Sequence, residues 1–198
     1  MPRRKTISDR TVLDAALRVM LVKGPSDFTL ADIAAAAGIA PATLVQRFGD
    51  KRRLIVAAFA QDNKAFAAAL AKLPAARGTG AVIAVFRLLS PGIDDVGVFA
   101  DQLLWLRQDM RDPDLNRLAR ERFRLLRAAL AARLPPLAIA PAKAALLVEA
   151  QWQGALNQWG IEPRGRLVDF VTQSLMAWFR LARVGAARPK RTGRAQNV

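Results

Sequence analysis

Phe28-Thr-Leu-Ala-Asp-Ile-Ala-Ala-Ala-Ala-Gly-Ile-Ala-Pro-Ala-Thr-Leu-Val-Gln-Arg-Phe48 places two short helical segments on either side of one glycine. Thr29 stands three residues before Asp32, a capping-box spacing with Asp in place of the usual Glu. Gly38 is the residue free to turn left-handed after the first segment, and Pro41 suits the first position of the second. Ala34 is small where the two helices cross, and Ile33, Ile39 and Leu44 supply apolar contacts around the turn. This is the pattern of a helix-turn-helix. Its second helix is about two turns long, and short recognition helices present their N-terminal residues to base edges in a major groove. The positions expected to face outward there are Ala42, Thr43, Gln46 and Arg47. Thr and Gln suit hydrogen bonds to bases or phosphates, Arg47 suits guanine or phosphate, and Ala42 permits close approach.

Working outward, Gly49-Asp50 leads into Lys51-Arg52-Arg53 at the start of a fourth helix. Three cations there oppose the helix dipole, at roughly 0.3–1 kcal/mol each. A docked phosphate would reverse that penalty; the alternative is a solvated charged turn. On the first reading Lys51 is a phosphate contact, and removing it leaves folding stability level or slightly raised. Upstream, Ser8 is placed to cap the first helix, with Ile7 and Val12 as a hydrophobic staple.

Composition narrows the chemistry. The chain of 198 residues contains no Cys, His or Tyr. Disulfides and thiolate metal sites are excluded, and the commonest general base is missing. No paired-carboxylate constellation replaces it, so an enzyme is the weakest reading and no cofactor is expected. Net charge is +15, and residues 1–64, 65–182 and 183–198 each carry +5 of it. A polyanion is the natural partner of such a balance. Charges interrupt every apolar run, so no span of about 20 mostly apolar residues is expected to cross a membrane. With no secretory signal after the basic N-terminus, the expected location is cytoplasmic.

Helical periodicity runs throughout and strand alternation is absent, which makes the chain all-α. Breakers such as Gly24-Pro25, Gly38, Gly49, Ser90-Pro91-Gly92 and Asp112-Pro113 divide it into nine helices, roughly 8–23, 29–36, 41–47, 50–73, 79–89, 93–110, 113–133, 141–159 and 164–183. The expected organisation is a DNA-binding domain over 1–64, a larger helical domain over 65–183 and a basic disordered tail over 184–198.

Residues 8–60 resemble the DNA-binding domain of the TetR family of regulators. The matching residues are Ala15-Ala16, Gly24, Thr29, Ile33-Ala34, Ala37-Gly38-Ile39, Pro41, Thr43-Leu44, Phe48, Lys51 and Leu54. By position, the resemblance implies phosphate contacts from Thr29 and Lys51 and groove contacts from Ala42, Thr43 and Gln46. The chain departs from the family pattern at Val45, where Tyr is common, at Ala40 in place of Ser, and at Arg47 in place of Tyr or His. Arg47 and the Lys51–Arg53 cluster are the expected substitutes. The basic leader Arg3-Arg4-Lys5 is placed to reach an adjacent minor groove, with Arg4 at its centre.

The resemblance further implies that the larger domain dimerises and binds an effector. Two stripes at 4-3-4-3 spacing are candidates for a homodimer interface: Ala145, Glu149, Trp152, Leu156 and Trp159, and then Leu167, Val171, Ser174, Trp178 and Leu181. Trp159, Val171 and Trp178 lead that expectation; the alternative is that the stripes pack inside one subunit. Gln102, Trp105, Gln151 and Trp152 mix polar and aromatic character in the way of an effector pocket, though each Trp also suits an ordinary core. Arg117, Arg120, Arg124 and Arg127 share a face expected to be solvated. The leading expectation is a homodimeric repressor released from double-stranded operator DNA by a small-molecule effector. The competing one is a basic architectural protein that binds DNA without sequence preference.

Overall fold

In a computed structural model, residues 7–89 and 95–186 are described, the last four by their backbone alone. All nine expected helices form among them. The order is α1 Asp9–Asp27, α2 Leu30–Ala37, α3 Pro41–Phe48, α4 Lys51–Lys72, α5 Thr79–Arg87, α6 Val96–Arg111, α7 Pro113–Arg133, α8 Pro141–Ile161 and α9 Leu167–Ala186.

Local chemistry sets most of these ends. Ser8 accepts a bond from the Thr11 amide at 3.2 Å, and Asp112 accepts from the amides of Asp114 and Leu115 at the start of α7. α1 runs past its expected end because Gly24 turns at φ 70° and ψ 173°, after which Pro25 to Asp27 resume one helical turn. A side chain at Gly24 would also meet Asp101 of α6 at 3.1 Å, so this kink is a contact point between α1 and α6. At the other end α9 continues to Ala186, into the segment expected to be disordered. The remainder of that tail lies outside the described residues.

Two apolar cores form. The first joins Val12, Ala16 and Met20 of α1, Ile33 and Ala34 of α2, Leu44 of α3, and Leu54 and Ala58 of α4. Trp105 of α6 also belongs to it, although it lies far along the chain. The second core joins α4, α5, α7, α8 and α9 around Phe86, Leu126, Leu130, Val148, Trp159 and Leu175. α4 serves both, with Leu54 and Ala58 in one and Phe66 and Leu70 in the other.

α4 also corrects the membrane expectation: among the described residues it is the one helix long and apolar enough, by length and composition, to cross a bilayer. Alanines supply much of that apolarity. The helix packs against α1 and α7, and buried Asn63 donates to the Leu118 carbonyl at 2.9 Å. A second correction concerns Arg127, which is not simply solvated. It pairs at 2.6 Å with Glu149, whose side chain is 6% exposed. Arg117, Arg120 and Arg124 are exposed as expected.

Candidate DNA-binding interface and effector cavity

The helix-turn-helix is held by its own backbone chemistry. The Thr29 hydroxyl accepts from the Asp32 amide at 3.2 Å, and the Asp32 carboxylate accepts from the Thr29 amide at 2.8 Å. Asp32 also accepts from Lys23 at 2.7 Å; with the Thr29 bonds, this holds its carboxyl at about 2. At the turn Gly38 adopts φ 67°, and its amide and that of Ile39 return to the last carbonyls of α2. α3 then starts without a side-chain cap at Ala40 and buries only Leu44.

That single anchor leaves Ala42, Val45 and Gln46 exposed and Thr43 half-buried. Val45 is the position sequence reasoning treated only as a missing tyrosine. It is 46% exposed on the outward side of α3 beside Ala42 and Gln46. An exposed branched methyl pair there suits van der Waals contact with a thymine methyl. Its hydrophobicity, unpartnered within the short helix, was the available signal.

The cations differ from a simple phosphate cluster. Arg47 is half-buried and donates from its guanidinium to Asp9 at the start of α1. Lys51 is half-buried too. Its ammonium donates to the Phe28 carbonyl at 2.7 Å and sits 3.9 Å from the centre of the Phe28 ring. The expectation that removing Lys51 costs no stability is therefore corrected: the side chain ties α4 to the junction of α1 and α2. Two of its three protons remain for other acceptors. Arg52 is turned away from α3 and clasps Asp112 and Asp114 at 2.6 and 2.7 Å, which holds the Asp112 carboxyl below its ordinary range. Arg53 is exposed beside Asp50. Thr29 is exposed, with its hydroxyl proton directed to Asp32 at 2.9 Å. Arg4 lies outside the described residues.

Behind this unit, α1, α4, α6 and α7 enclose a cavity of about 500 Å³, closed on another side by Leu88, Leu89 and Trp152. Gln102, Trp105 and Trp152, three of the four expected effector residues, line it. Gln151 does not: its amide donates to Ser174 of α9 at 2.9 Å, because it lies on the face of α8 turned to that helix. Trp105 is 6% exposed, stacks on Phe28 at 6.1 Å, meets Phe59 edge-on at 5.2 Å, and donates from its indole to the Met20 carbonyl at 3.3 Å. Trp152 stacks on Phe86 at 5.2 Å, and its indole nitrogen is buried with no acceptor among the described residues. Asp109, which the sequence did not single out, also lines the cavity; burial pushes its carboxyl up to about 6 against the opposing influence of Arg122.

The interface expectation is redistributed. Trp159 is 1% exposed and donates to the Gly165 carbonyl, and Val171 is buried in the second core. Neither can meet a partner directly, because one subunit already encloses them. Trp178 is half-buried at the edge of an apolar groove with Leu137, Ile139, Leu147 and Leu181.

Comparison with known proteins agrees with this architecture. Residues 12–58 match the profile of the bacterial regulatory proteins of the tetR family. Among solved structures, a transcriptional regulator from Rhodococcus sp. Rha1 superposes with a TM-score of 0.72 at 16% identity, covering 92% of this chain and 100% of that one. The multidrug binding protein EbrR, complexed with malachite green, gives 0.60 at 26% identity, covering 86% and 97%. A regulator described from Saccharomonospora viridis, in complex with choline, gives 0.68 at 18% identity, covering 86% and 94%. A search of curated proteins finds no match.

Proposed function

We propose that this chain, whose residues 12–58 match the bacterial regulatory proteins of the tetR family, is a sequence-specific DNA-binding regulator of that type, a cytoplasmic repressor released from its operator by a small molecule. The effector occupies the cavity between α1, α4, α6 and α7. The Trp105 bond to Met20 is the observation that carries the reading, because one side chain both lines that cavity and grips the helix on which the DNA-binding unit is built. A ligand that displaces Trp105 or α6 moves α1, and α1 carries α2 and α3 through their shared core. The apolar character of the cavity, with few polar groups, fits a small-molecule site. EbrR and the Saccharomonospora protein, which share this fold, each hold a small organic molecule.

DNA contact falls to α3, through Ala42, Thr43, Val45 and Gln46, with Arg47 and Lys51 flanking it and Thr29 and Arg4 at its margins. The protein acts as a homodimer through the apolar groove between α8 and α9, where a partner covers Ile139, Leu147 and Leu181 around Trp178. A two-fold pair presents two α3 helices to successive major grooves.

Filling the cavity tests the mechanism. The DNA complex is followed by fluorescence anisotropy against a small-molecule library, in the wild type and in Ala119→Trp. The wild type is expected to release DNA with at least one compound, while the filled variant binds DNA and stays bound. Release that persists in Ala119→Trp would place the effector elsewhere.

A further inference from the structure

α3 carries the DNA reading, yet little in the fold fixes its orientation. It has eight residues, starts at Ala40 without a side-chain cap, and fully buries only Leu44, with Phe48 packed part-buried on the same core. A short helix pinned at so few points can roll about them. Among the described residues, one side-chain tie joins α3 to another element. The Arg47 guanidinium donates to Asp9, the first residue of α1 and 38 positions away in the chain. Its Nε lies 2.8 Å from Oδ1, and Nη2 donates to the same oxygen; Nη1 has no partner among the described residues. Arg47 stands in the last turn of α3 and Asp9 in the first turn of α1, so each charge suits the dipole of its own helix.

The Asp9 side chain is 68% exposed beside the helix that meets a polyanion. A carboxylate there repels phosphate, and an ion pair so exposed adds little to folding. Neither DNA affinity nor stability accounts for it; orientation does. We infer that Asp9 is a specificity-determining residue that acts through Arg47, fixing the roll of α3 and aiming the Nη1 edge at a phosphate beside the groove. The inference rests on the DNA-binding reading above and adds a positioning residue to it. With α3 held, Thr43, Val45 and Gln46 meet base edges in one register, which strengthens binding to the matched sequence alone. The Asp9 charge meanwhile weakens backbone contact in every register, contact that a protein of net charge +15 otherwise makes with any DNA. Both effects raise the ratio of specific to random affinity, on which site choice depends.

The test uses the full chain and two DNA probes: the sequence that the wild type enriches from random double-stranded DNA, and the unselected pool. Affinities are read by fluorescence anisotropy at one salt concentration for the wild type, Asp9→Ala, Asp9→Asn, Arg47→Ala and the double variant Asp9→Ala with Arg47→Ala. Asp9→Ala is expected to bind the pool about twofold tighter and the selected sequence about fivefold weaker, so that the ratio falls about tenfold. In the Arg47→Ala background the same substitution should cost the selected sequence nothing further, because the bond it breaks is already gone. Asp9→Asn keeps an oxygen for Arg47 and should hold the selected sequence more tightly than Asp9→Ala does. Urea unfolding accompanies each variant, and the Asp9→Asn comparison stands if Asp9→Ala does not fold. An unchanged ratio in Asp9→Ala would make Asp9 an ordinary surface charge and overturn the proposal. An equal loss in the Arg47→Ala background, or equal losses in Asp9→Ala and Asp9→Asn, would overturn it too. A wild type that enriches no sequence would remove the DNA reading and this inference together; enrichment with a ratio indifferent to Asp9 would remove this inference alone.

Discussion

The indole nitrogen of Trp105 lies 3.3 Å from the backbone carbonyl of Met20, a bond that joins helices 85 positions apart in the chain. Met20 is buried in the core of the DNA-binding unit, and Trp105 looks onto the cavity on its other side. Trp105→Phe keeps an aromatic ring on Phe28 and Phe59 and removes the bond. A stability loss of about 1 kcal/mol is expected in urea unfolding. DNA affinity without ligand should hold within a fewfold, while the loss of DNA affinity on adding a cavity ligand should shrink. An undiminished ligand response would show that the α6–α1 link does not carry the signal.

Lys51→Ala separates two roles of one side chain. Losing the charge-assisted bond to Phe28 and the contact with its ring should cost about 1–2 kcal/mol of folding stability. If the remaining ammonium protons meet a phosphate, the slope of log affinity against log salt should also fall by about 0.9. Unfolding without DNA checks the first effect, and titration across salt concentrations checks the second. A stability loss with an unchanged salt slope would assign Lys51 to the scaffold alone.

Asp109 makes stability depend on pH. Its folded value of about 6 lies above its ordinary 3.8, so the folded state holds the proton more tightly. Stability should therefore fall as pH rises between those values and level off above them. Arg122 of α7 and Asp62 of α4 are the charged groups lining the cavity with it, while α1 contributes Leu21 and Val22. Asp109→Asn should be worth on the order of 1 kcal/mol in stability above about pH 6, discounted for solvent in the cavity, and nothing near pH 4. Urea unfolding at the two pH values decides it.

The dimer face is best probed where one subunit has least to lose. Trp178 packs edge-on against Phe179 and leans on the second core, so replacing it risks the subunit itself. Leu181 is 74% exposed. Leu181→Asp should leave helicity and unfolding nearly unchanged and shift sedimentation at micromolar concentration toward the monomer. Dimers of undiminished stability would move the interface off this face.

How much of this was legible in the sequence follows the range of the interactions involved. The helix-turn-helix was readable because its determinants are local: Thr29 and Asp32 cap within four residues, Gly38 turns where only glycine turns freely, and Leu44 alone faces inward. The helix count was readable for the same reason. The orientation of Lys51 was not, since a cation after Gly49-Asp50 looks the same whether it meets solvent or the Phe28 carbonyl. The stripes of α8 and α9 misled in part. A 4-3-4-3 spacing marks an apolar face but not what covers it: Trp159 is enclosed by its own subunit, while Trp178 stays half-buried at the edge of a groove. Asp109 was invisible because its significance lies in the absence of a partner, which only the packing of α4, α6 and α7 defines.

Selection of bound sequences from random double-stranded DNA tests the central claim most directly. A dimer that reads major grooves through paired α3 helices should enrich an inverted repeat whose half-sites are about one helical turn, or a multiple of it, apart. Affinity for that repeat should exceed affinity for unselected DNA by at least about a thousandfold at physiological salt. A pool that shows no enrichment, with equal affinity for selected and random DNA, would contradict the account and leave the charge of +15 as the whole of the interaction.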